Sequence, residues 1–139
     1  MTQQEIFDKA LSGIRRQGVK AESGEFCVYY DYETGNKCAA GQLLDDKTAE
    51  AVAETDMGKW FYLDDMHTED VQAIKEIGIP DYLTTPDNIS LIQDIQYCHD
   101  FAPGGYNPNF MDGFEMGMKE LAESYGLVYT APQPLESNR

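Results

Sequence analysis

Apolar residues return every three to four positions in five stretches of this chain, and turn-forming residues separate them. In the first, Ile6, Phe7, Ala10, Leu11 and Ile14 form one stripe. Thr2 and Glu5 have the spacing of a capping box, Arg15 and Arg16 suit the negative end of a helix, and Gly18 supplies a stop. A short helix is predicted over residues 47–54, with Asp45 or Asp46 near its start and Ala49, Val52 and Ala53 inward. Thr68 is placed to cap a third helix carrying Val71, Ile74 and Ile77, which Gly78 and Pro80 end. Asp87 caps a fourth running to about Phe101, with Ile89, Ile92, Ile95 and Cys98 near one face. Asn107 and Pro108 open the fifth, whose buried face is Phe110, Phe114, Met118, Leu121 and Tyr125 and whose end is Gly126.

Between the first two helices the period changes. Residues 25–32 are rich in aromatic and β-branched side chains, residues 33–36 have turn composition, and a second strand over 37–40 would close a hairpin. The cluster Trp60-Phe61-Tyr62-Leu63 fits either a strand or an anchor in the core. Pro103-Gly104-Gly105 breaks the chain into a loop, and from Ala131 onward two prolines and no apolar period predict a mobile tail. The fold class expected is therefore α+β: a mainly helical single domain over residues 1–130 with a small β-hairpin or antiparallel sheet, followed by a tail over 131–139.

At 139 residues and 42% hydrophobic content, including fifteen Phe and Tyr, the chain is large enough to bury a core without disulfides or metals. No apolar run reaches membrane-spanning length, and MTQQEIFDKA lacks the basic flank and apolar stretch of a secretory signal. The expectation is a protein that stays in the cytoplasm where it is made. Cys27, Cys38 and Cys98 are odd in number, which favours reduced thiols. A hairpin centred on Thr34-Gly35 would set Cys38 opposite Asp31, with Cys27 beyond it.

Charge is the most unusual global feature. The net is −15, and it is unevenly placed: residues 1–43 hold five basic and six acidic groups, residues 44–139 five basic and nineteen acidic. Direct binding to a nucleic-acid backbone would be repulsive. Asp45, Asp46, Glu50 and Glu54 gather around the short helix, and Asp64, Asp65, Glu69 and Asp70 form a second group. Such charge keeps a small protein soluble, and carboxylates on a rigid fold also imitate DNA phosphates in a basic groove.

Three constellations bear on chemistry. Cys38 with His99 and Asp100 contains the residue types of a thiol-dependent hydrolase or transferase, with Cys38 as nucleophile and His99 as base. Neighbours on a helix point apart, however, so Asp100 is not expected to orient His99. Cys27, Cys38, Cys98 and His99 could in number satisfy zinc, but without a CxxC pair, and with Cys98 and His99 adjacent, no metal is expected. The loop over 103–108 precedes a helix but lacks the lysine and spacing of a phosphate-binding loop, so no cofactor is expected either.

The pattern Cys27-x-Tyr29, a turn, then Gly35-x-Lys37-Cys38-Ala39-x-Gly41, after a helix ending in Arg16-Gln17-Gly18, resembles a group of small proteins encoded by bacteriophages and their bacterial hosts. His99-Asp100 on a later helix resembles that group as well, while Gln42 stands where a cysteine is common. The resemblance covers about the first third of the chain and that helix. It implies a phage or mobile-element setting and no particular reaction. Together with the charge it leads to the expectation of a non-enzymatic, acidic interaction protein that binds and inhibits a host or defence protein with a basic surface, through Asp45, Asp46, Glu50, Glu54, Asp64, Asp65, Glu69 and Asp70.

Overall fold

A computed structural model describes residues 2–19, 22–23, 26–27, 34–53, 75–100 and 110–132. Helix α1 spans Gln3–Gln17 and ends as its sequence dictates. The Thr2 hydroxyl accepts the Glu5 amide at 3.1 Å, and the Glu5 carboxylate accepts the Thr2 amide at 2.8 Å. At the other end Gly18 adopts φ 76°, a left-handed conformation, and returns its amide to the Ile14 carbonyl. The predicted stripe of Ile6, Phe7, Ala10, Leu11 and Ile14 is buried in full.

The α+β expectation is corrected. The described residues are mostly helical, and their β ladder is two residues per strand, β1 (Glu22–Ser23) antiparallel to β2 (Phe26–Cys27). That is too short to form a layer. The predicted second strand over 37–40 is not formed: strand character there shrinks to a single bridge residue, Lys37. The physical reason lies in α1. The Gln17 side-chain amide accepts the Lys37 N–H at 2.8 Å and donates to the Lys37 carbonyl at 3.0 Å. The chain then turns at Ala39 and Ala40 into a 3-10 helix, Gly41–Leu43. Residues 28–33 lie outside the described set.

Helix α2 covers Asp46–Ala53, with Asp45 as its cap: the Asp45 carboxylate accepts the Thr48 amide at 2.7 Å. Ala49 and Val52 are buried. The predicted helix after Thr68 falls outside the described residues except for 75–77, which are helical and precede Gly78 at φ 112°. A 3-10 helix, Asp81–Leu83, then leads into α3, Pro86–Asp100. Helix α3 begins one residue before Asp87, with Pro at its first position, where the missing N–H has no partner to lose. Helix α4 spans Phe110–Tyr125 and stops at Gly126, φ 68°.

One apolar cluster joins these elements. It draws on α1, Cys38 to Leu44, α2, Ile79, Leu83, α3 and α4. The buried side of α3 is Leu91, Ile92, Ile95, Gln96 and His99, whereas Ile89 and Cys98 are only partly covered. The helix is thus turned from the predicted face, bringing a glutamine and a histidine into the core. Helices α3 and α4 approach closely at Cys98 and Gly117: a Cβ on Gly117 would lie 3.1 Å from the Cys98 sulfur.

Candidate functional site

The end of α3 carries the densest buried polar chemistry among the described residues. Gln96 is 4% exposed and His99 is fully enclosed. The Gln96 carbonyl oxygen accepts the Ala40 amide at 2.8 Å, which fixes the orientation of the side-chain amide. Its Nε2 therefore points to Asp100 and donates to Oδ1 at 2.7 Å. The same Oδ1 stands 2.9 Å from His99 Nδ1, and a carboxylate only accepts, so Nδ1 carries the hydrogen. The His99 ring meets Phe110 edge-on at 5.7 Å, and Phe110 stacks on Phe114.

The expectation that Asp100 does not orient His99 is overturned. Asp100 is the last residue of α3, and its carboxylate reaches its neighbour's ring. The Gln96 bridge then ties this pair to the turn that holds Cys38.

Cys38 itself is 3% exposed, and its sulfur accepts the Gly41 amide at 3.3 Å. A thiol nucleophile must meet substrate, and a general base must meet the proton it takes. Cys38 and His99 are both enclosed, so the pair has the residue types of such a site without the access. Cys98 is equally unsuited, because burial first, then Asp94 and Glu120, pushes its thiol up to about 11. Neither Cys38 nor Cys98 forms a disulfide. In the native protein at about pH 7.5, iodoacetamide should leave the two unmodified over a time that fully alkylates the denatured chain. Mass spectrometry of their separate peptides checks this, and rapid native labelling of Cys38 would mean that its turn opens.

The predicted acidic residues divide. Asp45, Asp46 and Glu50 are exposed, while Glu54, Asp64, Asp65, Glu69 and Asp70 lie outside the described residues. Asp45 is held below the usual carboxylate range by the Thr48 backbone amide and then the Thr48 side chain. Asp46 pairs with Lys37 Nζ at 3.0 Å, and the same amine donates to the Leu44 carbonyl at 3.1 Å. Asp46 and Glu50, four residues apart, project from one side of α2. Among the described residues no three His, Cys, Asp or Glu side chains gather as metal ligands, and no helix is long and apolar enough to cross a membrane.

A second polar centre, unforeseen from sequence, sits between α1 and α4. Arg15 donates from Nε to Glu115 Oε2 and from Nη2 to Oε1, both at 2.7 Å, a bidentate pair on partly covered side chains. The Tyr129 hydroxyl donates to Glu115 Oε1 at 2.5 Å, and the Arg15 guanidinium lies 5.6 Å from the centre of the Tyr129 ring. Burial first, then Glu115, raises the Tyr129 hydroxyl above its ordinary range. The partners are 100 residues apart, so no local spacing announces them. The only sequence signal was the alternation Leu127-Val128-Tyr129-Thr130 after the stop at Gly126.

No family model, no curated protein and no solved structure matches the chain. The likeness to the phage-encoded group rests on the positions quoted for it alone.

Proposed function

We propose that the protein works by binding another protein through its acidic surface, and that the partner presents a basic groove or patch. The observation that carries this reading is the excess of nineteen acidic over five basic residues across 44–139, with Asp45, Asp46 and Glu50 standing exposed around the start of α2. A field of one sign on a folded surface speeds encounter with an oppositely charged partner and repels nucleic acid. In the setting the phage resemblance implies, the partner is a host or defence protein that itself binds nucleic acid, and carboxylates occupy the place of phosphates. The thiol alternative through Cys38 and His99 draws no support from two enclosed side chains.

The test is a pull-down from bacterial lysate at about 0.05 M and about 0.5 M salt, spanning strong and weak screening. Wild type is compared with a variant combining Asp45→Asn and Glu50→Lys. Asparagine keeps the helix cap while removing its charge, so α2 stays intact. One basic protein held at low salt, released at high salt, competed off by duplex DNA and bound roughly tenfold more weakly by the variant is the expected result. Capture that ignores salt and the charge change would sink the reading.

A further inference from the structure

We propose that the face of α1 and α4 beneath residues 127–130 is a binding seat for an extended peptide with an apolar residue two positions before a tyrosine, occupied in cis by the chain's own Leu127-Val128-Tyr129-Thr130. The seated segment shows the chemistry of its occupant. Leu127 and Tyr129 pack against the core while Val128 and Thr130 face outward, the alternation of an extended strand. Its main chain is held by side chains. The Gln4 amide accepts the Val128 N–H at 2.8 Å and donates to the Val128 carbonyl at 3.0 Å, while Arg15 Nη2 donates to the Thr130 carbonyl at 2.8 Å.

Such two-point reading of a backbone amide is independent of the side chain it carries, and Val128 is indeed 68% exposed. Specificity comes from the next position, where the Tyr129 ring covers Arg15 and its hydroxyl reaches Glu115. Main-chain bonds for affinity and alternate side chains for specificity are how proteins hold extended peptides. A groove of about 590 Å³ continues where the segment ends, lined by Ser12, Arg16, Met111 and Asp112 together with Ala131 and Pro132. The seat can therefore accept a longer peptide than the four residues it holds. It uses none of the residues named for the acidic surface of α2, and either reading can fail without the other.

A tethered segment competes at an effective concentration of about millimolar, so the seat must be emptied to be seen. The full chain carrying Leu127→Ala and Tyr129→Ala is titrated with a capped, fluorescent peptide of residues 126–132, GLVYTAP, and anisotropy is read. The peptide should bind this variant at least about tenfold more tightly than wild type, and a peptide with alanine for tyrosine should lose about tenfold. Equal binding to variant and wild type, or indifference to the tyrosine, overturns the proposal. Exchange of the segment between copies, seen as a wild-type dimer at high concentration, would make a second copy the occupant and overturns it as well. Should the variant not fold, hydrogen exchange on wild type decides. The Val128 amide should exchange about a hundredfold faster than that of Met118, because the segment lifts without global unfolding. Exchange of both at one rate means the segment is not separable from the fold, and the seat does not exist.

Discussion

Gln96→Leu lowers the free energy of unfolding by about 3 kcal/mol, a large share of the 5–15 kcal/mol typical of a domain. Leucine matches glutamine closely in volume, so the loss is not that of a cavity. It comes from two polar groups. The Ala40 amide, on a residue with 0% exposure, is left without the acceptor that Gln96 supplies at 2.8 Å, and Asp100 loses a donor at 2.7 Å. A buried unsatisfied donor costs about 1–3 kcal/mol, and a bond to a charged group contributes about as much. In a chain of this size the melting temperature should fall by roughly 10 °C. Gln96→Glu separates the two contributions. A carboxylate keeps the acceptor for Ala40 but faces Asp100 with like charge, which raises the carboxyl pKa in the folded state. A group so raised is stabilising below its unfolded pKa, and that contribution disappears as pH rises through the folded value. The glutamate variant should therefore approach wild-type stability near pH 4 and fall away toward pH 7, while the leucine deficit persists across the same range. Urea melts at both pH values check this. A leucine variant as stable as wild type would mean that the Ala40 amide finds another acceptor.

Much of the helical frame could be read from local pattern because local physics decides it. The Thr2–Glu5 box, the stripe from Ile6 to Ile14 and the left-handed Gly18 all depend on residues within one or two turns of each other. The same holds for the Asp45 cap and for Gly126 at the end of α4. Helix α3 was placed correctly but its buried face was turned. The aliphatic pattern runs to Ile89 and Cys98, whereas the core takes Gln96 and His99, which follow Ile92 by four and seven positions. That spacing is a helical signal, masked because the two residues that carry it are polar. The expected second strand over 37–40 is absent for a different reason. Residues 37–40 have strand-like composition only in part, and a side chain from α1, twenty positions earlier, takes both backbone groups of Lys37. In the Arg15–Glu115–Tyr129 centre, Arg15 and Glu115 stand 100 residues apart, so no local spacing pairs them. Of the acidic surface, the sequence supplied the charges, and the structure places Asp45, Asp46 and Glu50 on the outside while committing Asp45 to a cap and Asp46 to Lys37.

Gly13→Ala should destabilise the protein by about 2 kcal/mol, although alanine is the better helix former by about 1 kcal/mol. Gly13 is buried in the middle of α1, where a gain in propensity would be the default outcome. Its added Cβ, however, would lie 2.3 Å from Gln42 Oε1, 2.7 Å from Cδ and 2.9 Å from Cβ. A flexible side-chain end could swing aside, but Gln42 is held. Its Nε2 donates to Gln17 Oε1 at 2.9 Å and to the Lys37 carbonyl at 3.1 Å, and the residue sits within the 3-10 helix Gly41–Leu43. The contact with Gln42 Cβ cannot be relieved by rotating that side chain at all, so the 3-10 helix must move away from α1. That movement pulls on the Gln17 clamp and, through Ala40, on Gln96. Thermal melts of Gly13→Ala, Gln42→Gly and the double variant distinguish overlap from propensity. If overlap dominates, the double variant should be more stable than the sum of the single changes predicts, because glycine at 42 removes the three atoms nearest the new Cβ. Strict additivity, or a Gly13→Ala variant more stable than wild type, would show that α1 and the 3-10 helix are packed loosely enough to separate, and that the glycine is not required by the close approach.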